Sequence, residues 1–340
     1  MKKNITVLFL LLLSVCGATV ISSCASAPNA AATVAAPEGD FEVTTADGQV
    51  TITKYKGNAA AVGIPATIGG MPVTSIGKEA FFKYTGLKSV SIPASVTSIG
   101  EMAFLLCSSL SSVNIPVGVT IIGTGAFGGC TGLTTVNIPA GVTSIGEGAF
   151  VQCTGLKSVS IPASVTSIEK DTFHGCIGLA SVNIPVGVSS IGETAFQGCT
   201  SIESISIPAG VTSIGEGAFM QCTSLKSVSI PTSVTSMGKA AFAWTGLTSV
   251  SIPASVTRIE NVTFSGCTDL KSIIIPASVT SMGMGAFGSC SGLTSVTIGA
   301  NVSLSDEMSF NYGFDDAYNT NGKKMGVYTL RNKAWSYAVQ

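Results

Sequence analysis

Residues 138–160 read IPAGVTSIGEGAFVQCTGLKSVS, and Ile161-Pro162 opens the same phrase again. The prolines of successive Ile-Pro pairs stand at 93, 116, 139, 162, 185, 208 and 231, each 23 residues from the last. Pro253 follows after 22 and Pro276 after 23, while Pro65 precedes Pro93 by 28 because Gly69–Val73 reads as a short insertion. A period of 69 residues lies over the shorter one: Gly141–Phe150 recurs verbatim at Gly210–Phe219, and Asn114–Val119 at Asn183–Val188. Blocks of three units were therefore duplicated together. Self-similarity at a fixed period of this length is the mark of stacked coils.

Each unit carries Leu-x-x-Val-x-Ile, as in Leu87-x-x-Val90-x-Ile92, then Val and Ile, then Ala, Phe and Cys. One unit cannot bury that many apolar residues alone, whereas stacked neighbours can. Stacking sets identical residues about 4.8 Å apart, so ten coils make a body about 45–50 Å long. Proline ends the strand because it cannot donate to a ladder. The Gly after Ile (Gly77, Gly100, Gly123, Gly146, Gly192, Gly215, Gly238, Gly283) is expected at positive φ or where neighbouring turns crowd. Glu169 and Glu260 replace it twice, with Thr172 and Thr263 following, so those two coils are expected to differ locally. On these motifs the chain resembles the BspA-like (Treponema-type, 23-residue) leucine-rich repeat of bacterial surface lipoproteins, over residues 60–299. The resemblance implies a right-handed repeat solenoid, with a short parallel strand per coil on one face and turns or short helices between.

The ends read differently. Met1-Lys2-Lys3 followed by apolar Val7–Val20 has the form of a secretory signal. Ile21-Ser22-Ser23-Cys24 resembles the lipobox of bacterial lipoproteins, which implies removal of residues 1–23 and a diacylglyceryl group on Cys24. Simple signal cleavage and an uncleaved anchor are the alternatives. Residues 24–40, rich in Ala, Ser and Pro, read as a flexible tether. Residues 41–59 read as a capping hairpin with Asp47-Gly48 in its turn. Residues 300–340 break the repeat and read as a C-terminal cap, with Tyr318, Tyr328 and Trp335 as candidates for an aromatic binding patch.

Composition removes several functions. Lys+Arg is 17 and Asp+Glu 18, so no basic excess is present to meet phosphates and no nucleic-acid partner is expected. With one histidine, His174, little acid–base or metal chemistry is available, and no metal or cofactor is expected. Gly123-x-Gly125-x-x-Gly128 and Gly283-x-Gly285-x-x-Gly288 match the dinucleotide pattern only formally, because no βαβ unit surrounds them. Cys107, Cys130, Cys153, Cys176, Cys199, Cys222, Cys267 and Cys290 share one repeat position, expected to form a buried thiol ladder. Tyr84 and Trp244 are read as filling that position in the two units without it, so bulk rather than sulfur is what the site needs. His174 lies two residues before Cys176, but its neighbourhood varies between units and no third group is in view to hold a base.

What remains is the outward side of the strands. Flanking the inward Val run two columns, Ser89, Ser112, Thr135, Ser158, Ser181, Ser204, Ser227, Ser249, Ser272, Ser295 in one and Ser91, Asn114, Asn137, Ser160, Asn183, Ser206, Ser229, Ser251, Ile274, Thr297 in the other. Just before them stand Lys88, Lys157, Lys226 and Lys271. Such a carpet of hydroxyls and amides either solubilises the face or offers broad recognition in which repetition raises avidity. The candidate binding face is therefore Lys88, Ser91, Asn114, Asn137, Lys157, Asn183, Lys226 and Lys271. By resemblance the chain is expected to be a non-catalytic adhesion lipoprotein of the outer membrane, at the cell surface or on the periplasmic side. Its partners would be host matrix or plasma proteins, or other bacterial surfaces, and it would touch the membrane only through its N-terminal lipid. An envelope scaffold is the alternative.

Overall fold

The computed structural model describes residues 35–304, 309–310, 313–332 and 334–338. The expected signal segment 1–23, Cys24 and most of the tether lie outside the described residues. The chain winds as a parallel β-solenoid of about 11 turns. A coil holds a three-residue face strand, such as Ser112–Asn114, and a two-residue turn strand, such as Ser144–Ile145. The register pairs equivalent positions, Val90 with Val113 and Val113 with Val136 on the face, and Ile99 with Ile122 in the turn layer. A constant 23-residue period is what places like residues on the same rung.

The interior consists of those rungs. From Phe81 to Phe310 one phenyl ring per coil stacks on the next, with centroids 4.8–5.6 Å apart and planes within 16° of parallel. Each ring is fully buried or nearly so, which contributes about 1.5–3 kcal/mol per Phe. The arc around each Phe is made of turns rather than helix. Met102, Phe104 and Leu106 donate their N–H groups to Thr124, Ala126 and Gly128 of the next coil, at 2.7–2.8 Å, while Ala103 and Leu105 close turns onto Gly100 and Met102. That alternation puts residues two before and two after each Phe in the left-handed region, including Met102 (φ 53°), Leu106 (φ 63°), Asp171 (φ 55°), Thr194 (φ 54°) and Val262 (φ 50°).

The Gly after Ile is not at positive φ; it is there because the coils crowd. A Cβ added at Gly100, Gly123, Gly146, Gly192, Gly215 or Gly238 would stand 2.4–2.8 Å from backbone of the preceding coil. That clearance lets Gly146 N–H reach Ile122 C=O at 2.8 Å and Thr143 N–H reach Thr120 C=O at 2.9 Å. At the two Glu coils this ladder lapses. The sheet of turn strands stops at Ser144–Ile145, restarts at Ser167–Ile168, stops at Ser236–Met237 and restarts at Arg258–Ile259. Thr172 and Thr263 answer the change, their buried hydroxyls donating to Glu169 C=O and Glu260 C=O at 2.8 and 2.7 Å.

At the N-terminus Phe41–Ala46 and Gln49–Tyr55 form the antiparallel hairpin, with Asp47 and Gly48 both left-handed in its turn. Its second strand runs parallel to Met71–Ile76, and Tyr55 continues the aromatic stack onto Phe81 at 5.3 Å. The last residues of the expected tether are held rather than loose: Ala36 N–H bonds Gly63 C=O at 2.8 Å, and Glu38 accepts Gly69 N–H at 3.1 Å.

The C-terminal cap contains an α-helix, Phe314–Thr320, and a hairpin of Gly326–Arg331 and Ala334–Ala338. Gly326–Arg331 pairs antiparallel with Ser295–Ile298 and ends the parallel ladder. The Tyr318 hydroxyl accepts Val302 N–H at 3.0 Å and donates to Gly299 C=O at 2.7 Å, pinning the helix to the last coil. Burial raises the Asp315 carboxyl to about 6, against the lowering effect of the Phe310 and Ser309 amides.

Candidate binding face and cap groove

Strand alternation decides which side chains reach solvent. Along the face strands Val turns inward, while its two neighbours point out, so Ser91, Asn114, Asn137 and Asn183 are exposed as expected. Lys88, Lys157, Lys226 and Lys271 are exposed too. The ammonium groups of Lys157, Lys226 and Lys271 lie over Gly178, Gly246 and Gly292 of the following coil, 3.1–3.2 Å from where a Cβ would stand. Lys226 also pairs with Asp269 at 2.8 Å, so part of its charge is engaged within the chain.

Hydroxyls elsewhere in the coil are spent on holding coils together. Thr97, Thr120, Thr143, Thr212, Thr235 and Thr280 donate to the carbonyl of the equivalent residue in the preceding coil at 3.2–3.4 Å. Ser111, Thr134 and Thr294, which share the Lys column, do the same at 3.2–3.3 Å. No such side-chain bond is made, among the described residues, by Ser91, Asn114, Asn137 or Asn183. Their donors and acceptors point to water in rows set by the coil spacing.

The thiol column is structural. All eight described cysteines are free and buried, and each Sγ donates to the carbonyl of a Phe in the preceding coil at 3.1–3.3 Å. Burial pushes the thiols of Cys107, Cys176 and Cys222 up to about 12. One expectation is corrected. The column is continued by Thr245, whose buried Oγ1 donates to Phe242 C=O at 2.9 Å and sits 3.2 Å from Cys267 Sγ. Trp244 instead is about half-exposed and lies across Gly266. A hydroxyl therefore stands where other coils have a thiol, bonded within its own coil, while Tyr84 keeps the position in the first coil.

His174 and Cys176 form no dyad. The His174 Nδ1 faces Asp171 Oδ1 at 3.1 Å, the same oxygen accepts Thr194 Oγ1 at 2.5 Å, and Cys176 Sγ is bonded to Phe150 C=O. Thr194 thus meets the carboxylate rather than the imidazole, and no nucleophile is held against a base. Among the described residues no group of three or more His, Cys, Asp or Glu is placed to hold a metal ion. The charged column after Ile-Gly pairs as neighbours, Lys170 with Glu193 at 2.7 Å and Lys239 with Glu216 at 3.9 Å, exposed contacts worth little each.

The aromatic patch expected at the cap is corrected in part. Tyr318 and Tyr328 are buried, because their rings fill the cap against Phe314 and each other. Trp335 is half-buried, edge-on to Phe314 at 5.0 Å. Beside it opens a groove of about 460 Å³ lined by Asp316, Ala317, Thr320, Asn321, Tyr328, Trp335 and Tyr337. Sequence reasoning missed the polar half of this groove, which comes from the end of a helix the repeat does not encode.

The family model for the BspA type leucine rich repeat region matches residues 74–203 and 189–314. Among solved structures the chain is similar to a leucine-rich repeat protein from Bacteroides ovatus, with 33% identity and a TM-score of 0.70 over 75% of this chain and 68% of that one. It is also similar to a leucine rich cell surface protein from Faecalibacterium prausnitzii, with 30% identity and a TM-score of 0.51 over 81% of this chain and 96% of that one. The pneumococcal vaccine antigen PcpA shares the fold at 20% identity and a TM-score of 0.50, over 77% of this chain and 80% of that one. None of the curated proteins matches the chain.

Proposed function

The chain belongs to the BspA-type leucine-rich-repeat family, and from that membership we propose that it is an exported, surface-exposed adhesion protein that binds other proteins without catalysis. Repeat proteins of this type serve as interaction scaffolds, and the related Faecalibacterium chain carries the description of a cell surface protein. The observation that carries the reading is the contrast between hydroxyls. Turn-side Thr groups are committed to the neighbouring coil, while the face Ser and Asn groups have no partner within the chain and stand in register.

A surface of that kind binds through many weak contacts, since avidity grows with the number of coils engaged and no rigid aromatic anchor concentrates the energy. The partner class is a host matrix or plasma protein, or a protein of another bacterial surface. Anchoring is proposed through a diacylglyceryl group on Cys24 after loss of residues 1–23, in the outer leaflet of the outer membrane. More than one acyl chain is what stable anchoring requires.

Two measurements test this. Protease shaving of intact cells is expected to remove the solenoid while a periplasmic control survives; protection until lysis would instead support an envelope scaffold. Mature protein is expected to capture matrix or plasma proteins, and Asn114→Asp, Asn137→Asp and Asn183→Asp combined should weaken capture with the melting temperature unchanged. Capture left unchanged by the triple variant would remove the face from the reading.

A further inference from the structure

The groove at the C-terminal cap has a chemistry the strand face lacks. Trp335 and Tyr337 stand two apart on the outer hairpin strand, so both present their rings to one side. Neither is fully buried, and Tyr337 is fixed by its hydroxyl donating to Met325 C=O at 3.0 Å. Opposite them, the helix Phe314–Thr320 and the residue after it supply Asp316, Thr320 and Asn321. The Asn321 side chain is oriented, its Nδ2 donating to Tyr328 Oη at 3.1 Å while that hydroxyl donates to Lys324 C=O at 3.1 Å. The Asn321 Oδ1 is then the atom left to meet a ligand.

The inventory of these groups selects a ligand. Asp316 is an acceptor, Asn321 presents an acceptor, and Thr320 can do either. Among the described residues none that lines the groove is basic, so an anion would meet the Asp316 carboxylate without a counter-charge from them. The ligand must therefore be rich in donors, uncharged, and possessed of a flat C–H face to lie on aromatic rings. A neutral pyranoside satisfies all three, with hydroxyls around its rim and axial C–H groups on its face. The volume of about 460 Å³ accommodates a short oligosaccharide and lies within the range of small-molecule sites.

We propose that the cap groove of Trp335, Tyr337, Asp316, Thr320 and Asn321 is a binding site for a neutral oligosaccharide. The proposal does not rest on protein capture by the strand face, and the two can fail separately. Trp335 is one of two tryptophans, so mature protein carrying Trp244→Phe reports on the groove through its remaining indole. Titration with mannotriose, chitotriose, N-acetyllactosamine and 3′-sialyllactose is expected to give a saturable emission change with at least one neutral probe and none with the sialylated one. Asp316→Ala and Asn321→Ala should each weaken that binding roughly tenfold, the order expected for one lost hydrogen bond, with the melting temperature preserved. The proposal is overturned by no response to any neutral probe up to about 10 mM, by a preference for the anionic one, or by a response that both alanine variants leave intact. Should either variant fail to fold, Thr320→Val repeats the test from the same helix.

Discussion

Gly215→Ala adds one methyl group, and its consequence can be worked from the coil below it. The new Cβ would stand 2.6 Å from Glu193 N and from Gly192 C, both backbone atoms that cannot swing aside. Gly215 is not in the left-handed region, so alanine meets no conformational penalty of its own and the clash alone is tested. Relief requires the two coils to part, as they do where Glu169 and Glu260 stand. The bonds then lost are Gly215 N–H to Ile191 C=O and Thr212 N–H to Ser189 C=O, at 2.8 and 2.9 Å. At about 0.5–1.5 kcal/mol each the loss is about 1–3 kcal/mol, a fall in Tm of several degrees for a chain of this size. Hydrogen exchange should localise it: amides 212 and 215 lose protection while Phe219, bonded to Ala241 C=O at 2.8 Å, keeps its own. Glu169→Gly is the reverse experiment and should gain protection at residues 166 and 169. Unchanged exchange and an unchanged Tm in Gly215→Ala would refute the clearance argument.

Two further outcomes follow from buried groups. Seven of the eight thiols, all but Cys267, should resist a thiol-specific reagent at pH 8 in the folded protein and react once it is unfolded, because the thiolate is the reactive form and burial raises Cys107, Cys176 and Cys222 to about 12. Rapid native reaction at any of them would contradict the ladder. Asp315, with its folded carboxyl at about 6 against an ordinary 3.8, holds its proton more tightly folded than unfolded. Its contribution is therefore most favourable below about pH 4 and is lost as pH rises to about 6. Asp315→Asn should raise the Tm at pH 7.5 and leave it nearly unchanged at pH 4, and a shift of equal size at both would refute the assignment.

Much of this was legible because a repeat tests each position about ten times. The core rows, the hairpin at Asp47-Gly48, the outward Asn columns and the irregularity at Glu169 and Glu260 all follow from period and residue type. The thiol column shows where the reading slipped. Every Cys follows its Phe by three, as Cys222 follows Phe219, and the same count from Phe242 falls on Thr245. The 22-residue unit loses its residue after that point, between Thr245 and Leu247, and matching by size moved the column to Trp244. The left-handed positions were legible only in part: Gly125, Gly148, Gly175 and Gly198 mark them in some coils, but residues such as Thr194 and Val262 occupy the same places in others. There the hydrogen-bond alternation of the arc overrides local preference. Tyr318 and Tyr328 look like surface aromatics in a segment without a pattern, and only the helix over 314–320 turns them inward.

How far the face acts as one ruler depends on what holds each junction. Between the coils of Asn183 and Ser204 the face strands cease to pair, but the turn strands Ser190–Ile191 and Ser213–Ile214 remain joined. Between the coils of Ile145 and Ile168 the turn layer lapses, yet Thr135 and Ser158 still pair on the face. Between the coils of Ser229 and Ser251 both lapse together, since the 22-residue unit displaces the face strand and Glu260 occupies the turn. What spans that junction is the Phe arc, with Ala240, Phe242 and Trp244 donating to Asn261, Thr263 and Ser265, together with Thr248 to Lys226 C=O, Ser255 Oγ to Val234 C=O and Cys267 Sγ to Phe242 C=O. Lys226 then reaches across to Asp269, beyond the intervening coil. Lys226 is thus partly a strap, whereas Lys88 and Lys157 remain with the Asn columns on the near side and Lys271 lies on the far side. A ligand spanning Lys157 to Lys271 must cross the one junction with neither ladder, so the coil spacing is rigid for partners bound before Ser229 and compliant for those that reach beyond it.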